Sequence, residues 1–221
     1  MALTTATVAL FLHILTVIIG LSAAAVLHVA LLQLRAADDV TAARPWPRVI
    51  AVLETALPVA ALRILLTGAW TLDSSGGEFG WSQGWVVTAL VGLVAVATAG
   101  GLVTPRSKRL RRSIAQAPAG PVDTELRRRI LDPMLWCVLH GGTAVFLAVV
   151  FVMVTKPSGL WSAVVVAAVG LVGAASGVPF TRGGGPPVSV PTQREPTKGV
   201  AEPPAGPAGK HAEDPWTPPR S

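Results

Sequence analysis

Six reactive or ionisable side chains fall inside stretches that are otherwise apolar: His13, His28, Glu54, Arg63, Cys137 and His140. An ionisable group within a bilayer is costly, and by default it points to function. Two His with a Cys or a Glu suit a transition metal. Two His from facing helices could instead hold a haem iron. His28, His140, Cys137 and Glu54 are the candidates for that chemistry. Cys137 and His140 are three residues apart, so they share a helix face. The same residues also have a plain structural reading. His28 and His140 then hydrogen-bond to carbonyls as packing residues. Glu54 snorkels or stays protonated, and Cys137 is a small apolar side chain.

Arg63 is a different case, because it keeps its charge in any environment. Glu54 lies nine residues before it, half a helical turn off, so the two face opposite sides. No other apolar stretch contains an acid. Arg63 is therefore expected to reach backbone carbonyls, hydroxyls such as Thr67 or Thr16, outward water, or an anionic ligand. Pro58, between Glu54 and Arg63, is expected to kink its helix and free a carbonyl.

The elements that carry these groups are five apolar segments, at about 6–34, 49–72, 84–103, 134–155 and 159–180. A helix needs about 20 apolar residues to cross a bilayer, and its backbone hydrogen bonds are internal. The first segment lacks a preceding Lys or Arg and is too long for the apolar part of a signal peptide, so it reads as an uncleaved span. Span centres then set the depths. His13 lies roughly 10 Å to the outer side of its span centre and His28 roughly 12 Å to the inner side. Glu54 lies roughly 9 Å and His140 roughly 6 Å to the inner side, with Cys137 one turn deeper. Four groups thus share the inner half.

Composition agrees with this reading. Of 221 residues, 51% are hydrophobic and 14% charged, against roughly 25% charged in soluble domains. A soluble enzyme is excluded, and the single Cys excludes a disulfide scaffold. The net charge of +6 reflects membrane orientation and not nucleic-acid binding. Sixteen basic residues fall after the first, third and fifth spans, against Lys156 alone on the other side. By the positive-inside rule the N-terminus is outside and the tail cytoplasmic. Trp46, Trp70, Trp81, Trp85, Trp136 and Trp161 all lie near span ends, as interfacial aromatics do.

The basic loop 104–133 suggests a short amphipathic helix at the lipid surface. In it Val122, Leu126 and Ile130 recur every four residues, and Arg127, Arg128 and Arg129 contact anionic headgroups. A merely solvated basic loop is the alternative. Asp132 and Pro133 form an N-cap and first-turn pair for the fourth span. Gly173 and Gly177 make a close-packing face in the fifth span, toward the fourth span or toward another copy or membrane partner. The tail, 182–221, has 10 Pro and 6 Gly and is expected to be disordered.

Several local patterns carry a family resemblance. They are Leu12-His13-Ile14, Pro58 through Gly68-Ala69-Trp70, Gly84-Trp85, Pro105 with the following Arg run, and His140. Over roughly residues 8–155 the chain resembles an uncharacterised bacterial family of predicted integral membrane proteins. More remotely, its His-led first helix and Pro-to-Gly second helix are similar to copper-resistance protein D. They are also similar to the membrane-embedded protoporphyrinogen oxidase, which would imply a link to haem. The sequence departs from the oxidase after His13, where Thr16-Val17-Ile18-Ile19-Gly20 is bland, so no catalytic role is transferred.

The expectation is an all-α, polytopic transmembrane bundle of five spans in a bacterial cytoplasmic membrane, with a disordered cytoplasmic tail. The leading functional expectation is a non-enzymatic structural or accessory protein. The alternatives are a haem- or metal-handling protein using His28 and His140, and a small proton or solute carrier using Glu54 and Arg63.

Overall fold

The computed structural model describes residues 4–182. Their regular structure is helical, with one isolated bridge between Asp39 and Pro121. In chain order the helices are α1 (Thr5–Ala36), α2 (Val40–Ala43), α3 (Trp46–Asp73), α4 (Gly84–Gln116), α5 (Thr124–Ile130), α6 (Pro133–Thr155) and α7 (Gly159–Ser176). A 3-10 turn follows at Val178–Thr181. Five helical segments are long and apolar enough to cross a membrane. The tail, expected to be disordered, lies outside the described residues from 183 onward.

Local chemistry sets the helix ends. Thr4 caps α1 through a bond from the Thr7 amide, and Asp39 caps α2 through the Thr41 amide at 2.6 Å. The Asp132 carboxylate accepts from the Met134 amide at 2.9 Å, with Pro133 as first residue of α6, as the sequence indicated. Lys156 ends α6 in the left-handed region, at φ 47°, and turns the chain into α7. Helix α3 runs through Pro58 as a single element.

The structure departs from the expected loop at 104–133. Helix α4 continues through Pro105 to Gln116, so the basic run is helical. The reason is an apolar stripe. Val103, Ser107, Leu110 and Ile114 are spaced four, three and four apart, and all are buried. That burial offsets the backbone bond lost at Pro105. Helix α5 starts at its Asp123 cap, but its apolar side faces protein, not lipid: Leu126 and Ile130 are buried. Main-chain bonds from Val40 to Gly120 and from Val122 to Asp38 fasten α2 to the segment before α5.

Helix α1 packs along α3, while α6 packs against α7 and α4. A cleft of about 320 Å³ lies between these two groups, lined mostly by apolar side chains from α1, α3, α4 and α6. A core at the basic end joins the groups through Leu34, Val40, Ile50, Ile114, Ile130 and Trp136. Trp136 corrects an expectation. It is fully buried in that core, and its indole donates to the Ile130 carbonyl at 2.9 Å. Trp70, Trp81 and Trp161 are exposed near helix ends, where interfacial aromatics belong.

Candidate functional site

The two inner histidines meet. His28 on α1 and His140 on α6 have ring centroids 5.2 Å apart, tilted by 55°. His28 Nδ1 lies 3.0 Å from the Ala24 carbonyl, one turn back on its own helix. A carbonyl only accepts, so Nδ1 is the donor. His140 Nδ1 lies 3.1 Å from Ser176 Oγ on α7. That hydroxyl gives its one proton to the Gly173 carbonyl at 2.7 Å, so it accepts from His140. In each neutral imidazole the remaining nitrogen, Nε2, therefore carries a lone pair. No bond to either Nε2 occurs among the described residues.

Two aromatic rings flank His140. Phe180 lies 4.8 Å from the His140 ring and stacks on Trp136 at 5.2 Å. The Arg35 guanidinium sits 5.1 Å from the Phe180 ring and donates to the Arg182 carbonyl. The two imidazoles contact each other directly, with no slot between them for the plane of a macrocycle.

The other proposed ligands do not join them. Among the described residues, no three His, Cys, Asp or Glu side chains are placed to hold one metal ion. Cys137 is a free, half-buried thiol whose backbone abuts Gly177. The Glu54 carboxylate is taken by Arg111 on the extended α4, at 2.9 Å, with both side chains about four-fifths buried. The sequence reading missed this partner because it ended the third span at Val103. Once α4 is continued as a helix, Arg111 follows Ser107 by one turn, and Ser107 and Glu54 line the same cleft.

At the other end, His13 is buried between α1 and α3. Its Nδ1 is 3.2 Å from Thr67 Oγ1, and Thr16 Oγ1 donates to the His13 carbonyl at 2.8 Å. Gly68 gives the ring its room, since a Cβ there would stand 3.1 Å from the imidazole. Thr67 in turn donates to the Arg63 carbonyl. The Arg63 side chain itself is exposed, and it makes no hydrogen bond or ion pair among the described residues. It closes one end of a shallow groove lined by Thr16, Ala51, Thr55, Ala56 and Ala60, among others. Glu54 and Arg63 thus occupy separate places, the first on the inter-group cleft and the second on the outer surface of α3.

The remaining expected contacts also have intramolecular partners. Arg127 donates to the Arg35 and Ala37 carbonyls at 2.8 and 2.9 Å and pairs with Asp38, closing the end of α1. Arg128 and Arg129 both pair with Glu125, and Arg129 also reaches Ser113. Gly173 and Gly177 pack on α6: Gly173 against Ala144 and the His140 carbonyl, Gly177 against the Trp136 carbonyl and Cys137. The glycine stripe is thus occupied within the chain.

Residues 7–157 match the profile of a family described as "Predicted integral membrane protein (DUF2269)". The match covers more than half of the chain, which belongs to that family. No curated protein and no solved structure matches it.

Proposed function

We propose that this member of the family is a non-enzymatic accessory protein that docks an acidic transmembrane segment of another protein on α3 at Arg63. In this reading it sits in the bacterial cytoplasmic membrane, with the N-terminus outside and the basic end cytoplasmic. The sixteen-to-one division of basic residues supports that orientation, with eight of the sixteen on α4 and α5.

Arg63, exposed and without a hydrogen-bond or ion-pair partner among the described residues, carries the docking proposal. It lies roughly 4 Å beyond the middle of the apolar part of α3. The outer edge of the hydrocarbon is then roughly 11 Å away, for a core of about 30 Å. Helical side chains lean toward the helix N-terminus, here toward the basic end, so snorkelling outward is disfavoured. The guanidinium keeps its charge and needs an anion at that depth. Glu54 is the one acid in the spans, and it is already paired with Arg111. A second copy of the chain brings no free acid within its spans either. A carboxylate on a different transmembrane segment meets the requirement, and the small side chains below Arg63 allow its backbone to approach.

A photo-crosslinking amino acid at Val59, which lines the groove, tests this in intact membranes. The expected result is an adduct with one membrane protein. Arg63→Leu should abolish it, and Arg63→Lys should keep it. Adducts with lipid alone, or an adduct indifferent to Arg63→Leu, would overturn the proposal.

A further inference from the structure

We propose that His28 and His140 form a two-imidazole site for a transition-metal cation of the zinc class, bridging α1 and α6. The proposal is independent of the docking surface at Arg63, which lies on the other side of α3.

The hydrogen bonds fix the tautomer of each neutral ring. His28 donates from Nδ1 to the Ala24 carbonyl, and His140 donates from Nδ1 to Ser176, whose own proton is committed to Gly173. Each Nε2 is then an electron-pair donor. Metal-binding histidines are held in this way, with the outer nitrogen bonded to a carbonyl or another acceptor and the inner one free for the ion. Two such rings in contact at 5.2 Å present two lone pairs, and no proton donor serves either one among the described residues. Both rings are half-buried, and a shared cation would engage both lone pairs.

Imidazole selects zinc and its neighbours over the hard oxygen-seeking ions. Two protein ligands leave the remaining positions of a four-coordinate ion open to water or to a ligand brought in with the metal. Cys137 lies outside the set, which separates this site from a thiolate site. The two histidines belong to different helix groups, so the ion would join the α1–α3 pair to the α4–α6–α7 group at a second point. Metal binding should therefore be visible as stability as well as stoichiometry.

The test uses the purified full chain in detergent, stripped with chelator and titrated with Zn²⁺, with Co²⁺ as the coloured substitute. Expected are one equivalent bound, a higher unfolding temperature and a Co²⁺ visible spectrum without thiolate charge transfer. His28→Gln and His140→Gln should each abolish the high-affinity equivalent. Ser176→Ala leaves both rings in place and should weaken binding by about 10–100-fold, the usual effect of losing an outer-shell partner. Cys137→Ser should bind like the parent. Mg²⁺ should not compete. No saturable equivalent in the parent, or binding unchanged in the His28→Gln/His140→Gln double variant, would overturn the proposal. So would loss of binding in Cys137→Ser.

Discussion

The Glu54–Arg111 pair is the sharpest test of how this bundle is held together. Its N–O distance is 2.9 Å, and the two side chains retain 17% and 20% of their exposure. Exposed pairs contribute about 0–1 kcal/mol, whereas breaking a buried one costs about 3–5 kcal/mol. Partial exposure near the bundle's basic end places Glu54→Leu at about 2–3 kcal/mol of destabilisation. Arg111→Met should cost less, for two reasons. A stranded carboxylate can take up a proton, while a stranded guanidinium cannot lose one. Arg111 Nε is also buried without a hydrogen-bond partner, and the substitution removes that deficit. The double variant Glu54→Leu/Arg111→Met should lie within about 1 kcal/mol of the parent, because an apolar pair fits a cleft that is already apolar. Equilibrium unfolding in bicelles would measure the cycle, with an expected coupling near 2 kcal/mol. Additive single effects, or a larger cost for Arg111→Met, would refute the reasoning.

Two further outcomes follow from the packing and the surface charges. Gly173→Leu should destabilise by about 2 kcal/mol or more, because even its Cβ would collide with Ala144 and stand 3.0 Å from the His140 carbonyl. Gly100→Ala, with open space around it, should be neutral or stabilising by up to about 1 kcal/mol, and thermal unfolding would separate the two. Bonds from Thr41 hold the Asp39 carboxyl below its usual range, and bonds from Arg129 and then Arg128 do the same for Glu125. A lowered folded value means a stabilising contribution that is complete above the ordinary values of 3.8 and 4.5 and is lost as pH falls through the lower folded ones. Unfolding midpoints below pH 4.5 should therefore drop less steeply in Glu125→Gln than in the parent.

Spans, their number and the Asp132–Pro133 start of α6 were legible because each rests on local chemistry: apolar length, capping and proline geometry. The meeting of His28 and His140 was legible in depth but not in azimuth. Depth follows from counting residues along an axis, whereas rotation depends on which face packs, and spans that are apolar all round do not reveal it. Ser176 and Phe180 could not be read as partners of His140. They reach it only through the tight α6–α7 packing and the turn at Gly177. The continuation of α4 was written in the sequence as Val103, Ser107, Leu110 and Ile114. The basic residues between them concealed it, and with it the Arg111 partner of Glu54.

The distribution of burial explains why the histidine pair is well defined and the Arg63 face is open. Lipid tails are as apolar as the side chains they touch, so the hydrophobic effect gives helices no reason to associate within the bilayer. Accordingly Phe11, Val52, Val94, Leu171 and Val172 are all more than half exposed along the spans. Water is available to drive burial only beyond the hydrocarbon, and there α2, α5 and the helix ends gather Leu34, Ile50, Ile114 and Ile130 into a closed core. Arg127 ties the end of α1 to this core by bonding the Arg35 and Ala37 carbonyls. His28 lies on the turn just before buried Ala30 and Leu31, and His140 one turn after buried Trp136. Their approach is thus fixed by the part of the protein in which packing is strongest. Arg63 lies away from that core, where α1 and α3 are held to each other by small residues and a few hydroxyl bonds. The rigid end holds the two imidazoles together, and the open helix face leaves a charge that the described residues do not neutralise.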